Sequence, residues 1–408
     1  MGAGIFTLLG QVAQEAGHST TEVVIIAGCV AMLSGYSYAR LARAFPGAGG
    51  PNIYFRKAFG TTTFSGGSSI IYYVTLMVGT AMVAKAFGSY ALRLFNLNER
   101  SAVPQNLLAA GLLILLVLIN ILGTKDVGTV QKVLVAFKLT ILAILACVGA
   151  ARANIHASQL FAEIGIWPLL HNVGLIFLAY AGFGVITNAS GSVPDPTRTI
   201  PRALYFSIGV VTVLYVALAV IVLASISPRE LALHGTTAVA QAAKPVLGAA
   251  GFLFTTLAAL AATTSAANGM LFGGLTLASD LANAGQLPRW FAQGAHRNVS
   301  QGFLWSVAAL VVMVLFIDFL TIANVASAAF LMTYLSIQIA HWRVRNRTNG
   351  SAVLIVLGAI TVAAVLGGFL VSLYRSQPES LLMILLFFAV GYGVEAWVLK
   401  GAKAGLET

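Results

Sequence analysis

The feature that most constrains the fold of this chain is a series of eleven apolar runs, each long enough to cross a membrane as a helix. A hydrocarbon core of roughly 30 Å is spanned by about 20 apolar residues in helical conformation. The runs lack the short alternation of a transmembrane barrel, and charged residues make up only 9% of the 408 residues. The sequence therefore predicts an all-α integral membrane protein without a separate soluble domain, whose spans cover roughly residues 22–44, 66–94, 106–123, 128–150, 168–189, 203–226, 248–279, 302–318, 320–341, 351–373 and 380–399.

The fifth run and the polar segment after it form the stretch Trp167–Pro201, whose centre is unusual. The segment Tyr180–Gly184 places two glycines where an unbroken transmembrane helix would favour leucine or valine. A break there frees backbone groups, and an unpaired group in hydrocarbon costs on the order of 2–7 kcal/mol, so protein, ligand or trapped water must cover it. The break predicts a binding site. The alternative is that the small residues let two helices approach closely.

Basic residues are distributed unevenly between the two sets of loops. The sequence has 23 Lys and Arg against 12 Asp and Glu, a formal net charge of +11. If the first apolar segment ends outside, the cytoplasmic loops carry fifteen of the basic residues and the opposite loops carry six. This positive-inside asymmetry predicts a multi-pass protein of the cytoplasmic (inner) membrane with both termini in the cytoplasm. No compact basic patch interleaved with aromatic residues indicates a nucleic-acid partner.

Residues that carry enzymatic or metal chemistry are sparse and scattered. Cys29 and Cys147 lie inside apolar runs, and the six histidines occur singly without a second ligand at metal spacing. The sequence contains neither a nucleophile-elbow motif nor a phosphate-binding loop. We therefore expect no enzymatic activity, no metal site and no cofactor.

An internal repeat connects the central break with the start of the chain. Ala3-Gly4-Ile5 and Ala181-Gly182-Phe183 are the same small-glycine-apolar triplet, separated by 178 residues or about five helices. Because five is an odd number, the second copy would cross the membrane in the opposite sense to the first. Paired helix breaks in two inverted halves are typical of the midplane site of a transporter. A chance match of three residues is the alternative.

The polar segment after the second helix carries a family resemblance. Tyr36–Gly60 contains a loop dense in glycine, aromatic residues and arginine, and it resembles the signature loop of the amino acid-polyamine-organocation superfamily of permeases. It departs from the family pattern at Arg40, where an acidic residue is common, and at Pro51, which replaces a small polar residue. Phe177–Gly184 and Val193–Arg202 are similar to the family's broken sixth helix and to the loop after it.

The segment Gly2–Phe6 is similar to the broken first helix of the family, so the resemblance extends over nearly the whole chain. It implies a bacterial amino acid permease with a leucine-transporter-like, five-plus-five inverted-repeat fold. Residues 1–408 would form one membrane domain: a first repeat at 1–150, a second at 168–341 and two extra C-terminal helices at 351–399. The function implied is secondary active transport of an amino acid by alternating access.

The resemblance also implies where the substrate binds, namely between helices one, three, six, eight and ten. Free N–H groups at the start of a half-helix suit the substrate carboxylate, and free carbonyls at the second break suit its ammonium. The expected substrate-binding residues are Gly2, Ala3, Gly4, Ile5, Leu178, Ala179, Tyr180, Ala181, Gly182, Phe183 and Gly184.

Two departures from the family pattern bear on function. Many relatives have an acidic residue where this chain has Gly184, so a counter-ion for a cationic substrate is missing and neutral amino acids are expected. The cytoplasmic half of the first helix is absent before Met1. Either the true start lies upstream, or the chain is an inactive, truncated permease. A non-transporting membrane solute sensor is the alternative function.

Lys138 is the ionisable residue within a span that we expect to take part in ion coupling. A charge at membrane depth is costly and indicates function by default, although the long side chain could instead snorkel. Some relatives carry a lysine here, and the resemblance implies that its ammonium replaces a sodium ion. Burial penalises the charged amine, so a proton can leave during the cycle, and transport would be proton-coupled or an exchange. If sodium is required, Thr263, Thr264 and Ser265 are the candidate ligands. Lys85 is expected to snorkel.

Overall fold

The computed structural model describes residues 4–47, 49–97, 102–122, 127–152, 163–191, 193–292, 294–296 and 299–404. Within this part of the chain, fifteen α-helices account for most residues, and four short 3₁₀ segments and one small hairpin connect them. The hairpin pairs β1 (Gly294–His296) with β2 (Val299–Ser300) in antiparallel orientation. The helices are α1 Gly4–Ala16, α2 Thr20–Ala44, α3 Pro51–Phe59, α4 Thr63–Leu94, α5 Ala102–Leu122, α6 Val127–Arg152, α7 Ile166–Tyr180, α8 Pro196–Ser225, α9 Pro228–His234, α10 Ala238–Asn283, α11 Gln301–Phe316, α12 Phe319–Arg343, α13 Arg345–Thr348, α14 Ala352–Ser376 and α15 Pro378–Ala404.

Length and apolar character confirm the prediction of an all-α membrane protein. Among the described residues, nine helical segments are long and apolar enough to cross a membrane. Two shorter apolar helices, Gln301–Phe316 and Pro378–Val394, add to them. Each of the eleven runs identified in the sequence falls on one of these helices. The shorter first segment forms α1, which joins α2 through a single 3₁₀ turn.

Polar side chains at the helix starts explain several boundaries. The side chains of Thr62, Ser300 and Asp318 each accept a hydrogen bond from the backbone N–H three residues later, at 3.3, 3.3 and 2.9 Å. Such caps satisfy a donor that the first helical turn leaves without a partner. They fix the starts of α4, α11 and α12.

The core is arranged around α4, which is buried along most of its length. This helix packs against α5, α10, α12 and α15, while α2 packs against α7 and α8, and α1 against α7. By contrast, only 33% of the apolar window of α5 and 22% of that of α6 is buried. The two interrupted segments, α1 and α7, therefore lie together inside the bundle.

Two sequence expectations need correction. The polar segment before the sixth run was expected to be a loop up to about residue 202, but α8 begins at Pro196. A proline is tolerated there because the first helical N–H has no partner in the helix. Lys85 was expected to snorkel, yet its exposed fraction is 4%. Its ammonium donates instead to Asn106 Oδ1 on α5 at 2.8 Å, because the neighbouring helix offers a polar partner at that depth.

Candidate functional site

The break predicted in the sixth helix is a change of helix type. The α-helix α7 ends at Tyr180, and the chain continues as a 3₁₀ segment, Ala181–Gly191. At the junction the Ala181 N–H donates to the carbonyls of Phe177 and Leu178. In a 3₁₀ helix each N–H bonds the carbonyl three residues earlier, whereas in an α-helix it bonds the carbonyl four residues earlier. The change of helix type therefore alters which carbonyls at the junction accept a backbone hydrogen bond.

Tyrosine hydroxyls from other helices bind two of the carbonyls at this junction. Tyr215 on α8 donates to the Ala179 carbonyl at 3.1 Å, and Tyr334 on α12 donates to the Ala181 carbonyl. The carbonyls of Leu178, Ala179 and Ala181 were expected to be free for a substrate ammonium. In this conformation each of them accepts a hydrogen bond from within the protein.

The first interrupted helix touches the second one directly. A Cβ atom added to Gly4 would lie 2.5 Å from Ala179 Cα and 2.7 Å from Ala179 Cβ. The backbones of α1 and α7 therefore meet at this point, and only glycine fits. Ile5 is completely buried beside it, while Gly2 and Ala3 lie outside the described residues.

A small cavity opens at Gly182, on the side of the 3₁₀ segment that faces α8. Its volume is about 70 Å³, and no heavy atom lies within 4 Å of a Cβ atom added to Gly182. Ligand pockets for drug-sized molecules usually enclose roughly 300–1,000 Å³, so this space must enlarge to admit an amino acid. Its lining includes predicted site residues and three residues of α8: Ala179, Tyr180, Gly182, Phe183, Ile186, Ser207, Ile208 and Val211.

Aromatic side chains occupy the space around Gly184. A Cβ atom there would lie 3.1 Å from the Tyr334 hydroxyl oxygen and 3.2 Å from the Tyr38 ring. The rings of Tyr38, Phe183 and Tyr334 have centroids 5.0–5.6 Å apart and form one buried cluster. A larger side chain, acidic or neutral, would displace these rings.

The glycine-rich loop that carries the family resemblance packs against the 3₁₀ segment. Gly50, at φ +48°, immediately precedes α3, and a Cβ atom there would lie 1.9 Å from Asn188 Oδ1. The Asn188 amide in turn donates to the Tyr72 hydroxyl at 3.4 Å. The positive φ and the close approach both require glycine at position 50. The loop thus holds one end of the 3₁₀ segment in place.

The other end of the site is covered by the segment between α9 and α10. A Cβ atom added to Gly10 on α1 would lie 1.9 Å from the Gly235 carbonyl oxygen. At the end of α1, Glu15 Oε2 lies 3.5 Å from His171 Nε2 on α7. This segment and this pair close the space between α1 and α7 at the end of the bundle opposite Gly50.

Lys138 lies deep within α6, with an exposed fraction of 2%. It follows the first residue of α6 by eleven residues, or about 17 Å along the helix axis, and this depth disfavours snorkelling. Gln131, two turns earlier on the same face, donates to Ser265 Oγ on α10 at 2.6 Å. Thr263 donates to the Ala259 carbonyl of its own helix at 2.8 Å. Of the alternative sodium ligands, Ser265 thus takes part in packing α6 against α10, and the Thr263 hydroxyl bonds within its own helix.

Sequence reasoning missed Tyr215, which binds the Ala179 carbonyl. It stands alone in the apolar run of α8. A tyrosine at membrane depth needs a partner for its hydroxyl, and backbone carbonyls released at a helix break are such partners. This pairing was the available signal.

Comparisons with known proteins agree with the fold. A family model described as amino acid permease matches residues 1–394. The inner membrane transport protein YbaT of Escherichia coli K12 is 35% identical over 385 residues, covering 94% of this chain and 90% of that protein. The branched-chain amino acid permease BcaP of Lactococcus lactis is 26% identical over 379 residues, with coverages of 84% and 78%. The chloroplastic cationic amino acid transporter 9 of Arabidopsis thaliana is 28% identical over 243 residues, with coverages of 54% and 42%.

Proposed function

We propose that the substrates of this chain are neutral amino acids. The premise is that the chain belongs to the amino acid permease family and transports amino acids across a membrane. Transport would proceed by alternating access in the cytoplasmic membrane, with both termini in the cytoplasm. The chain would form one domain with inverted repeats at 1–150 and 168–341 and two further helices at 351–399.

The packing around Gly184 is the observation that carries the substrate class. Tyr38 and Tyr334 fill the position from which an acidic side chain would reach a cationic substrate. The residues that line the cavity at Gly182 include no carboxylate. A cationic side chain would lose its hydration there without gaining a counter-ion, which is expensive in an apolar environment. The name of the branched-chain permease, which matches over most of this chain, agrees with a neutral substrate.

The binding contacts that we propose are those of the two helix interruptions. The carboxylate would bind the N–H groups at the start of α1, from Gly2 to Ile5, and the ammonium would bind the carbonyls of Leu178, Ala179 and Ala181. Two of these carbonyls now accept hydrogen bonds from tyrosines, so the ammonium would replace neutral donors with a stronger, charge-assisted one. Because Gly4 touches Ala179, α1 and α7 would have to part to admit the substrate.

We also propose that Lys138 couples transport to protons or supports exchange. Its burial in the middle of α6, on the face that carries Gln131, supports this role. A fixed ammonium would hold the inner part of the first helix, and loss of its proton would release it. Sodium would then be dispensable.

Uptake by the purified protein in proteoliposomes tests the function. Labelled neutral amino acids should accumulate or exchange, and unlabelled arginine and lysine should compete poorly. The control for the site is the Gly182→Leu variant, because Gly182 lines the cavity and a larger side chain there should block it. Binding without uptake in the wild-type protein would favour the solute-sensor alternative, and strong competition by arginine would contradict the neutral substrate class.

A further inference from the structure

A second, larger cavity lies between α4, α11, α12 and α15. Its volume is about 340 Å³, more than twice that of an engineered apolar cavity that binds benzene, roughly 150 Å³. None of its lining residues belongs to the cavity at Gly182. It is therefore a separate site.

The chemistry of the lining excludes a polar ligand. Its side chains are aliphatic, aromatic or methionine, apart from the hydroxyls of Tyr73 and Ser306. Tyr73 donates to Ser306 Oγ at 2.8 Å, and Ser306 donates to the Gly302 carbonyl at 3.0 Å. Binding sites for polar molecules place a few polar groups toward the ligand, whereas here both hydroxyl donors are used within the protein. The lining offers only apolar contact.

The shape of the cavity follows the helix axes. On α11 the lining residues run as one stripe from Ser306 to Ile317, which lies just after the helix end. Eleven residues correspond to about 17 Å along a helix, and one leaflet of the hydrocarbon core is about 15 Å deep. The facing stripe on α15 runs from Met383 to Val390. The long axis of the cavity is therefore parallel to membrane lipid chains and has the length of one leaflet.

One wall of the cavity is open to the lipid and the opposite wall is closed. Leu386 and Val390 on α15 are 63% and 54% exposed. Met77 and Val78 on α4, at the back, are only 3% and 4% exposed. A lipid chain can enter from the side, but a chain that merely surrounds the protein does not reach the back wall.

We propose that this cavity binds one acyl chain of a membrane phospholipid. The chain enters from the leaflet that contains Ile317, and its methyl end points toward the Tyr73–Ser306 pair. Methionines suit this role because their flexible side chains adapt to an irregular apolar surface. The bound chain lies against α4, the helix that also carries Tyr72, whose hydroxyl accepts the hydrogen bond from Asn188 of the 3₁₀ segment.

Photolabelling of the full chain in phosphatidylglycerol nanodiscs tests this proposal. A trace of phospholipid with a diazirine near the methyl end of one chain is activated by light, and labelled peptides are identified by mass spectrometry. Label is expected on residues 73–78 of α4, the closed back wall. Absence of label there in the wild-type protein overturns the proposal.

A matched pair on α11 provides the control, because Ala308 and Ala309 are adjacent and exposed but only Ala309 lines the cavity. Ala309→Phe should abolish the α4 label, and Ala308→Phe should retain it. Val390→Phe fills the cavity from α15 and decides the result if Ala309→Phe does not fold. Label that persists in both filling variants overturns the proposal. So does α4 labelling that appears only when a dimer is dissociated, because a second copy of the chain would then occupy the cavity.

Discussion

Replacement of Gly4 by alanine would insert one methyl group between α1 and α7. The new Cβ atom would lie 2.5 Å from Ala179 Cα, about 1 Å closer than ordinary contact. The atom it meets belongs to the backbone of a packed helix, so a side-chain rotation cannot relieve the clash. The two helices must separate. Gly182→Ala is the matched control, because a methyl group there meets no heavy atom within 4 Å.

The size of the effect follows from the cost of overpacking. Extra methyl groups in a packed core cost about 1–3 kcal/mol, which corresponds to about 5- to 150-fold in an equilibrium constant. The conformation with α1 closed on α7 should lose this free energy relative to one in which the helices are apart. If transport passes through the closed conformation, uptake by Gly4→Ala should fall by a factor in that range.

Initial uptake rates in proteoliposomes, normalised to inserted protein, measure this effect. Gly182→Ala should stay near the wild-type rate, because its methyl group enters the open cavity. Gly182→Leu should fill that cavity and abolish uptake without preventing membrane insertion. Wild-type uptake by Gly4→Ala would show that the contact with Ala179 has no part in transport. Equal losses in Gly4→Ala and Gly182→Ala would refute the reasoning from contact distances.

Four further predictions follow from the site. Gly184→Asp should lower thermal stability without creating arginine uptake, since Tyr38 and Tyr334 occupy the space; gain of arginine uptake would contradict this. Uptake should be unchanged when choline replaces sodium, reduced by a protonophore, and lost in Lys138→Ala although substrate binding is partly kept. A strict requirement for sodium would show that Lys138 has only a structural role. Tyr334→Phe removes one hydrogen-bond donor from the Ala181 carbonyl, at about 0.5–1.5 kcal/mol in the substrate-free protein, so substrate should bind more tightly; weaker binding would argue against replacement by ammonium. Hydrogen bonds from Ser227 lower the pKa of Glu230, so this cap stabilises α9 at a pH above the unfolded pKa of about 4.3, and the stabilisation is lost as the pH falls through the folded pKa. Acidification should therefore reduce the hydrogen-exchange protection of α9 more in the wild-type protein than in Glu230→Gln; an equal reduction in both proteins would contradict the prediction.

The spans were predictable because their length and apolar character are local properties. A run of about 20 apolar residues has few alternatives to a membrane helix. The start of the seventh apolar run is an example of finer agreement. The run was placed from about residue 248, and α10 is kinked at Gly248, where φ is +74°. The glycine that marked the beginning of the run also interrupts the helix.

The detail of the second break could not be predicted from local sequence. Gly182 and Gly184 indicated an interruption, but they did not specify a 3₁₀ segment. That choice depends on donors for the released carbonyls, and Tyr215 and Tyr334 reach them from α8 and α12. Similarly, the Lys85 ammonium stays buried because it donates to Asn106 of another helix. Such pairings are set by tertiary structure, so one helix considered alone does not contain them.

The tyrosine hydroxyls give a physical reason for substrate control of the proposed cycle. Tyr215 and Tyr334 belong to α8 and α12, so movement of either helix away from α7 breaks a bond to the Ala179 or Ala181 carbonyl. Without substrate, that carbonyl would lose this donor, at a cost of about 0.5–1.5 kcal/mol. A bound ammonium would donate to the same carbonyl and remove the cost. A ligand shifts a conformational equilibrium only by its differential affinity for the two states, and here the differential would arise at these two carbonyls. In the proposed cycle, neutral donors would therefore hold the empty protein in one conformation, and the substrate would release it by replacing them.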